Sequence, residues 1–185
     1  MKLHNISLLA GIVLLASPFA VAEDGHGAHH RGDQPQGMHA QSPYAGMQAR
    51  RIKALSEQQV EDLQAGKGMS LALPAELNGY PGPSHTLELA DQLKLTPEQQ
   101  ARTQALFTQM QQQARAAGEQ VISAEAGLDK LFKEKKATPD ALKAATAKAA
   151  QAQGELRETH LRYHLSMVEV LSPDQVAAYS KLRGY

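Results

Sequence analysis

The sequence predicts an all-α protein: one long antiparallel helical hairpin with short flanking helices. A five-residue phrase recurs as Leu55-Ser56-Glu57-Gln58-Gln59, Leu95-Thr96-Pro97-Glu98-Gln99 and Leu171-Ser172-Pro173-Asp174-Gln175. In each, a Ser or Thr precedes a Gln by three positions, the capping-box spacing: the hydroxyl accepts from the free N–H groups of a new helix and the Gln reaches back to the cap's own N–H. Between the last two copies run two long stretches with apolar residues three or four apart, the helical period. Abundant Ala and Gln, 4% aromatic residues and no Trp or Cys suit long, thin helices in close contact.

Residues 1–22 read as a secretory signal peptide. Lys2 supplies the positive start, Ile6 to Ala16 is an apolar run too short to span a bilayer, and Ala20-Val21-Ala22 fits the small-x-small cleavage rule. The expected location is a Gram-negative periplasm. Residues 23–54 are rich in His, Gly and Gln, have little to bury, and are expected to be disordered. Residues 55–83 hold a short helix from Ser56 to Ala65, stopped by Gly66-Lys67-Gly68, then the turn cluster Asn78-Gly79-Tyr80-Pro81-Gly82-Pro83.

The hairpin domain spans 84–185. Ser84 is expected to cap a helix of about ten residues that buries Leu87, Leu89, Ala90 and Leu93. The box at Thr96 opens a helix to about Lys135, roughly 60 Å long at 1.5 Å per residue. Its stripe is Leu106, Met110, Ala114, Ala117, Val121, Ala124, Leu128 and Leu131. Lys135 to Pro139 breaks it, with Thr138 as the next cap. The returning helix reaches about Leu171 on Leu142, Ala145, Ala149, Ala152, Leu156, Thr159, Tyr163 and Val170. The third box starts a last helix with Val176, Tyr179 and Leu182. An Ala-rich seam buries little area, so a homodimer is expected to add surface.

A signal peptide, no Cys, a long helical hairpin and Leu-[Ser/Thr]-x-x-Gln phrases before helices together resemble the periplasmic Spy/CpxP family, which includes zinc-resistance-associated proteins and heavy-metal sensors. The residues carrying the resemblance are Leu95, Thr96, Pro97, Glu98 and Gln99, and Leu171, Ser172, Pro173, Asp174 and Gln175; it covers about residues 84–183. It implies a hooked hairpin that dimerises. It further implies either ATP-independent chaperone-like binding of unfolded periplasmic proteins or, as the alternative, heavy-metal binding in resistance or sensing, the latter with a membrane sensor protein as partner.

The candidate metal ligands are His160, His164 and Met167. The two histidines stand four apart and Met167 three further on, all within a roughly 60° sector of one helix. Two imidazoles and a thioether suit Zn, Cu, Ni or Co better than calcium. By the resemblance, further ligands come from the helix before the first phrase, which here offers His85. The tail histidines His26, His29, His30 and His39 form a separate, weaker candidate. No cofactor is required otherwise. Phe107, Met110, Ile122, Phe132 and Leu161 are candidates for client contact, though no client-binding residue is assigned. Without Cys there is no thiol nucleophile and no thiolate ligand, no Ser/His/Asp set stands out, and no enzyme is expected. The formal charge of zero, shifted by one unit when Lys2 leaves with the leader, gives nucleic acid no general hold.

Overall fold

The computed structural model describes residues 42–185; the expected leader and the four tail histidines lie outside the described residues. Six α-helices follow in order: α1 Glu57–Ala65, α2 Leu73–Glu76, α3 Pro83–Glu88, α4 Pro97–Lys133, α5 Pro139–Val170 and α6 Pro173–Arg183. No strand forms among the described residues. The protein is all-α, and α4 and α5 make the long hairpin.

All three capping boxes are formed. Gln59, Gln99 and Gln175 donate backbone N–H to Ser56, Thr96 and Ser172, and their side chains accept from the backbone N–H of those caps. Thr138 caps α5, with Pro139 at its first position. Two of the boxes also clasp each other. Gln99 Nε2 donates to Gln175 Oε1 at 2.7 Å and to the Val170 carbonyl at 3.0 Å. Gln175 Nε2 donates to Gln99 Oε1 at 3.0 Å and to the Leu93 carbonyl at 3.2 Å. One amide pair thus starts two helices and ties their N-termini together.

The core has two parts. In one, Leu55, Val60 and Leu63 pack with Ala114, Val121 and Ala124 of α4 and Ala149, Ala152 and Leu156 of α5. In the other, Met167, Val170 and Leu171 meet Leu95, Leu106 and Val176. Small seam residues let the backbones approach. Gly118 is the extreme case: a Cβ there would run into the Leu63 carbonyl of α1.

Several expectations shift. Ile52 is buried in the same cluster as Leu55, and Met47–Ala49 form a 3-10 turn, so the order expected from residue 55 begins earlier. The helix expected from Ser84 starts at Pro83 with Gly82 as its cap and ends at Glu88. Ser84 Oγ instead donates to Glu88 Oε1 at 3.3 Å, because Pro83 takes the first helical position and moves the cap back two residues, from Ser84 to Gly82. Leu142 and Leu182, expected on the apolar stripes, are exposed, since near the hairpin tip and at the end of α6 the stripe outruns its partner. Phe132, a candidate for client contact, is exposed as well.

Candidate functional site

The last third of α5 turns polar side chains inward. Leu156, Tyr163 and Val170 keep the apolar register, and His160 and His164 lie beside it, one turn apart and both buried. They line a cleft of about 530 Å³. Its other walls are Met110 of α4, the loop after α1, the segment from Glu76 to His85, and Arg183 with Tyr185.

The sequence builds this wall with the turn cluster. Pro81, Gly82 and Pro83 are buried, and Gly82 lies flat on the His164 ring: a Cβ there would sit 2.9 Å from its Cε1 and 3.3 Å from Glu76 Oε2. The preceding carbonyl fixes the imidazole. His164 Nδ1 donates to the Tyr80 oxygen at 2.7 Å, so in the neutral ring Nε2 carries the lone pair. His160 is 2% exposed, and its Nε2 is buried without a hydrogen-bond partner. Burial first, and the neighbouring charge of His164 second, push the His160 pKa below the ordinary imidazole value. His160 is therefore a neutral imidazole at neutral pH.

Glu76 organises the opposite wall. It is 6% exposed and accepts from Tyr179 Oη at 2.6 Å, Tyr185 Oη at 3.2 Å and His85 Nδ1 at 3.2 Å. Arg183 Nε lies 3.3 Å from the same oxygen without hydrogen-bond alignment, and His164 Nδ1 is 3.7 Å from the other. Burial is the largest single influence on its pKa and acts upward, but the Tyr179 bond, the His85 and His164 charges and the Tyr185 bond together hold the carboxyl below its ordinary value. Tyr179, buried and donating to Glu76, is pushed well above the usual phenol range.

The structure brings His160, His164 and His85 to one cleft and leaves Met167 out of it. Met167, 0% exposed, packs with Val170 and Leu171 against α4 and α6. It sits on the far side of the sector from His164, where Leu95, Leu106 and Val176 converge. His85 is held on both nitrogens, Nδ1 by Glu76 and Nε2 by Arg183 Nη2 at 3.4 Å. Among the described residues, no group of three or more His, Asp or Glu stands ready as a metal cage. Glu76 is a cleft residue that the sequence does not single out, and Met110, expected on the apolar stripe of α4, lines the same cleft. The available signal for Glu76 was a lone acid within Leu71-Ala72-Leu73-Pro74-Ala75-Glu76-Leu77, a setting in which a carboxylate is either solvated or partnered.

A family model described as heavy-metal resistance matches residues 71–178. The span includes Glu76, His85, Met110, His160 and His164, and excludes Met69, Tyr179 and Arg183. Comparison with curated proteins and with solved structures returned no match.

Proposed function

The chain belongs to the heavy-metal-resistance family of helical, Spy/CpxP-like proteins, and from that premise we propose that it binds a transition-metal cation in the α5 cleft, as a resistance or sensory accessory protein. The observation that carries the reading is the state of the two imidazoles. His160 Nε2 is buried with no partner, an arrangement that costs free energy unless something fills it. His164 donates Nδ1–H to a backbone carbonyl, the support that metal-ligating histidines commonly receive and that leaves Nε2 free to ligate. Both are on one helix face, and the Glu76 carboxylate, 3.7 Å from His164 Nδ1, lines the same cleft. His160 and His164 would hold Zn, Cu, Ni or Co as ligand or cargo, and the remaining positions fall to Glu76, water or a second chain. The role is binding, not catalysis. Family members are typically extracellular or periplasmic, and among the described residues no helix is long and apolar enough to cross a membrane; the periplasm is the location that accords with the sequence. A homodimer and a membrane sensor are the partners that such a role would use.

Titration of the full chain with each metal tests this. One ion per chain should bind in wild type and lose affinity in the His160→Ala/His164→Ala double variant. Equal binding by both proteins contradicts the proposal.

Client binding is the second reading, favoured by exposed Leu165 and Val168 on α5 and exposed Leu73 and Leu77 beside the cleft. The matched family supports it less than it supports metal binding. If it operates, the protein slows aggregation of an unrelated denatured protein at up to equimolar ratio without ATP, and no effect across several clients and salt concentrations removes it.

A further inference from the structure

Beyond the two imidazoles, the cleft holds two thioethers. Met110 of α4 is nearly buried and Met69 sits at the mouth, and both line the same space as His160 and His164. Met69 and the following Ser70 both have left-handed backbone, φ 43° and 62°, a region that non-glycine residues enter at a cost. Leu73 and Phe107 add apolar surface around the thioethers.

Resting on the metal reading above, we propose that the cleft is selective for monovalent copper, held by His160 and His164 through their Nε2 atoms and by Met110 and Met69 through sulfur. Two arguments converge. Thioether sulfur is a soft, uncharged donor suited to Cu(I), whereas Ni and Co, and Zn in a chain without thiolates, are served by imidazole nitrogen and oxygen. Charge points the same way. Among the described residues the only carboxylate lining the cleft, Glu76, lies 3.3 Å from the Arg183 guanidinium and already accepts from Tyr179 and Tyr185. A cation entering among these imidazoles and thioethers therefore finds little free negative charge. The cost of desolvating an ion in a low-dielectric site rises with the square of its charge, so a monovalent ion is penalised much less than a divalent one. Neither argument needs Met167, whose sulfur is committed to the apolar cluster below.

The test is anaerobic competition for Cu(I) between the full chain and a chromogenic Cu(I) chelator, run alongside Zn(II) titration. The proteins compared are wild type, Met110→Leu, Met69→Leu, Met167→Leu and the His160→Ala/His164→Ala double variant. Leu for Met conserves volume, and Met69 lies on a loop whose substitution leaves the core intact. Both cleft methionine variants should lose Cu(I) affinity by roughly tenfold or more, at least what loss of a ligand's outer support costs. Their Zn(II) affinity should be unchanged, Met167→Leu should match wild type, and X-ray absorption of the copper-loaded protein should show sulfur together with nitrogen neighbours. Cu(I) affinity unchanged in Met110→Leu and Met69→Leu, or copper taken up equally by the double histidine variant, overturns the copper assignment. Zn(II) binding that depends on His160 and His164 would leave the broader metal reading standing in that case. Loss of neither metal in the double variant removes both.

Discussion

At the scale of single residues, burial decides which side chains carry consequence. Gly118→Ala is instructive because two effects oppose. Alanine in a helix interior gains about 0.5–1 kcal/mol over glycine, but here its Cβ meets the Leu63 backbone, which cannot swing aside. Overpacking of this kind costs about 1–3 kcal/mol, so the variant should be destabilised in chemical denaturation; a stabilised variant would mean that α1 does not pack where it is seen. Two cleft groups with shifted pKa values give a pH profile. His160 has a folded pKa below its ordinary 6.5, so its contribution is complete above 6.5 and is lost as pH falls through the depressed value. Glu76 lies below its ordinary 4.5, and its contribution persists above 4.5 and is lost further into acid. Stability should therefore decline on acidification from about 6.5 in two stages. His160→Gln should flatten the first stage and Glu76→Gln the second, and an unchanged profile in both would show that neither proton matters. The His pair was legible from spacing alone. Glu76 was not, because a single acid in an apolar stretch reveals its partners only when residues roughly a hundred positions later fold back onto it, as Tyr179 and Tyr185 do.

Among the helices, starts were more legible than ends. Ser56, Thr96, Thr138 and Ser172 cap where their side chains dictate, since capping is settled within four residues. The α3 start was misplaced by two residues because Pro83 suits the first helical position and Ser84 suits the cap, and the proline prevails, with Gly82 packed on His164 as the cap. What the local signal hid was its second use. The amides of Gln99 and Gln175 bond each other across the molecule, so each box supports the other. A double-mutant cycle with Gln99→Ala and Gln175→Ala should give a coupling of about 0.5–3 kcal/mol, the range for residues in one hydrogen-bond network. Additive losses would reduce the clasp to two independent caps.

Across the whole molecule, the hairpin supplies length and the two cleft histidines, and the short elements wall the cleft around them. α4 and α5 pair through small residues, and α2, α3 and the chain's last residues close one end around His160 and His164. Neither stripe nor capping phrase foretells this cleft, because its walls come from segments far apart in sequence. Metal that binds only the folded protein must stabilise it: at one hundred times the dissociation constant the gain is about 2.7 kcal/mol, measurable as a shift in the thermal midpoint that His160→Ala/His164→Ala should abolish. The central claim, that these two imidazoles are ligands through Nε2, is tested most directly by 15N NMR of histidine-labelled protein during addition of one equivalent of Zn(II). The Nε2 resonances of His160 and His164 should move to metal-bound positions together, with His164 Nδ1 remaining protonated against Tyr80 and His85 Nε2 staying unligated beside Arg183. Zinc binding that leaves both Nε2 resonances where they were would contradict the account.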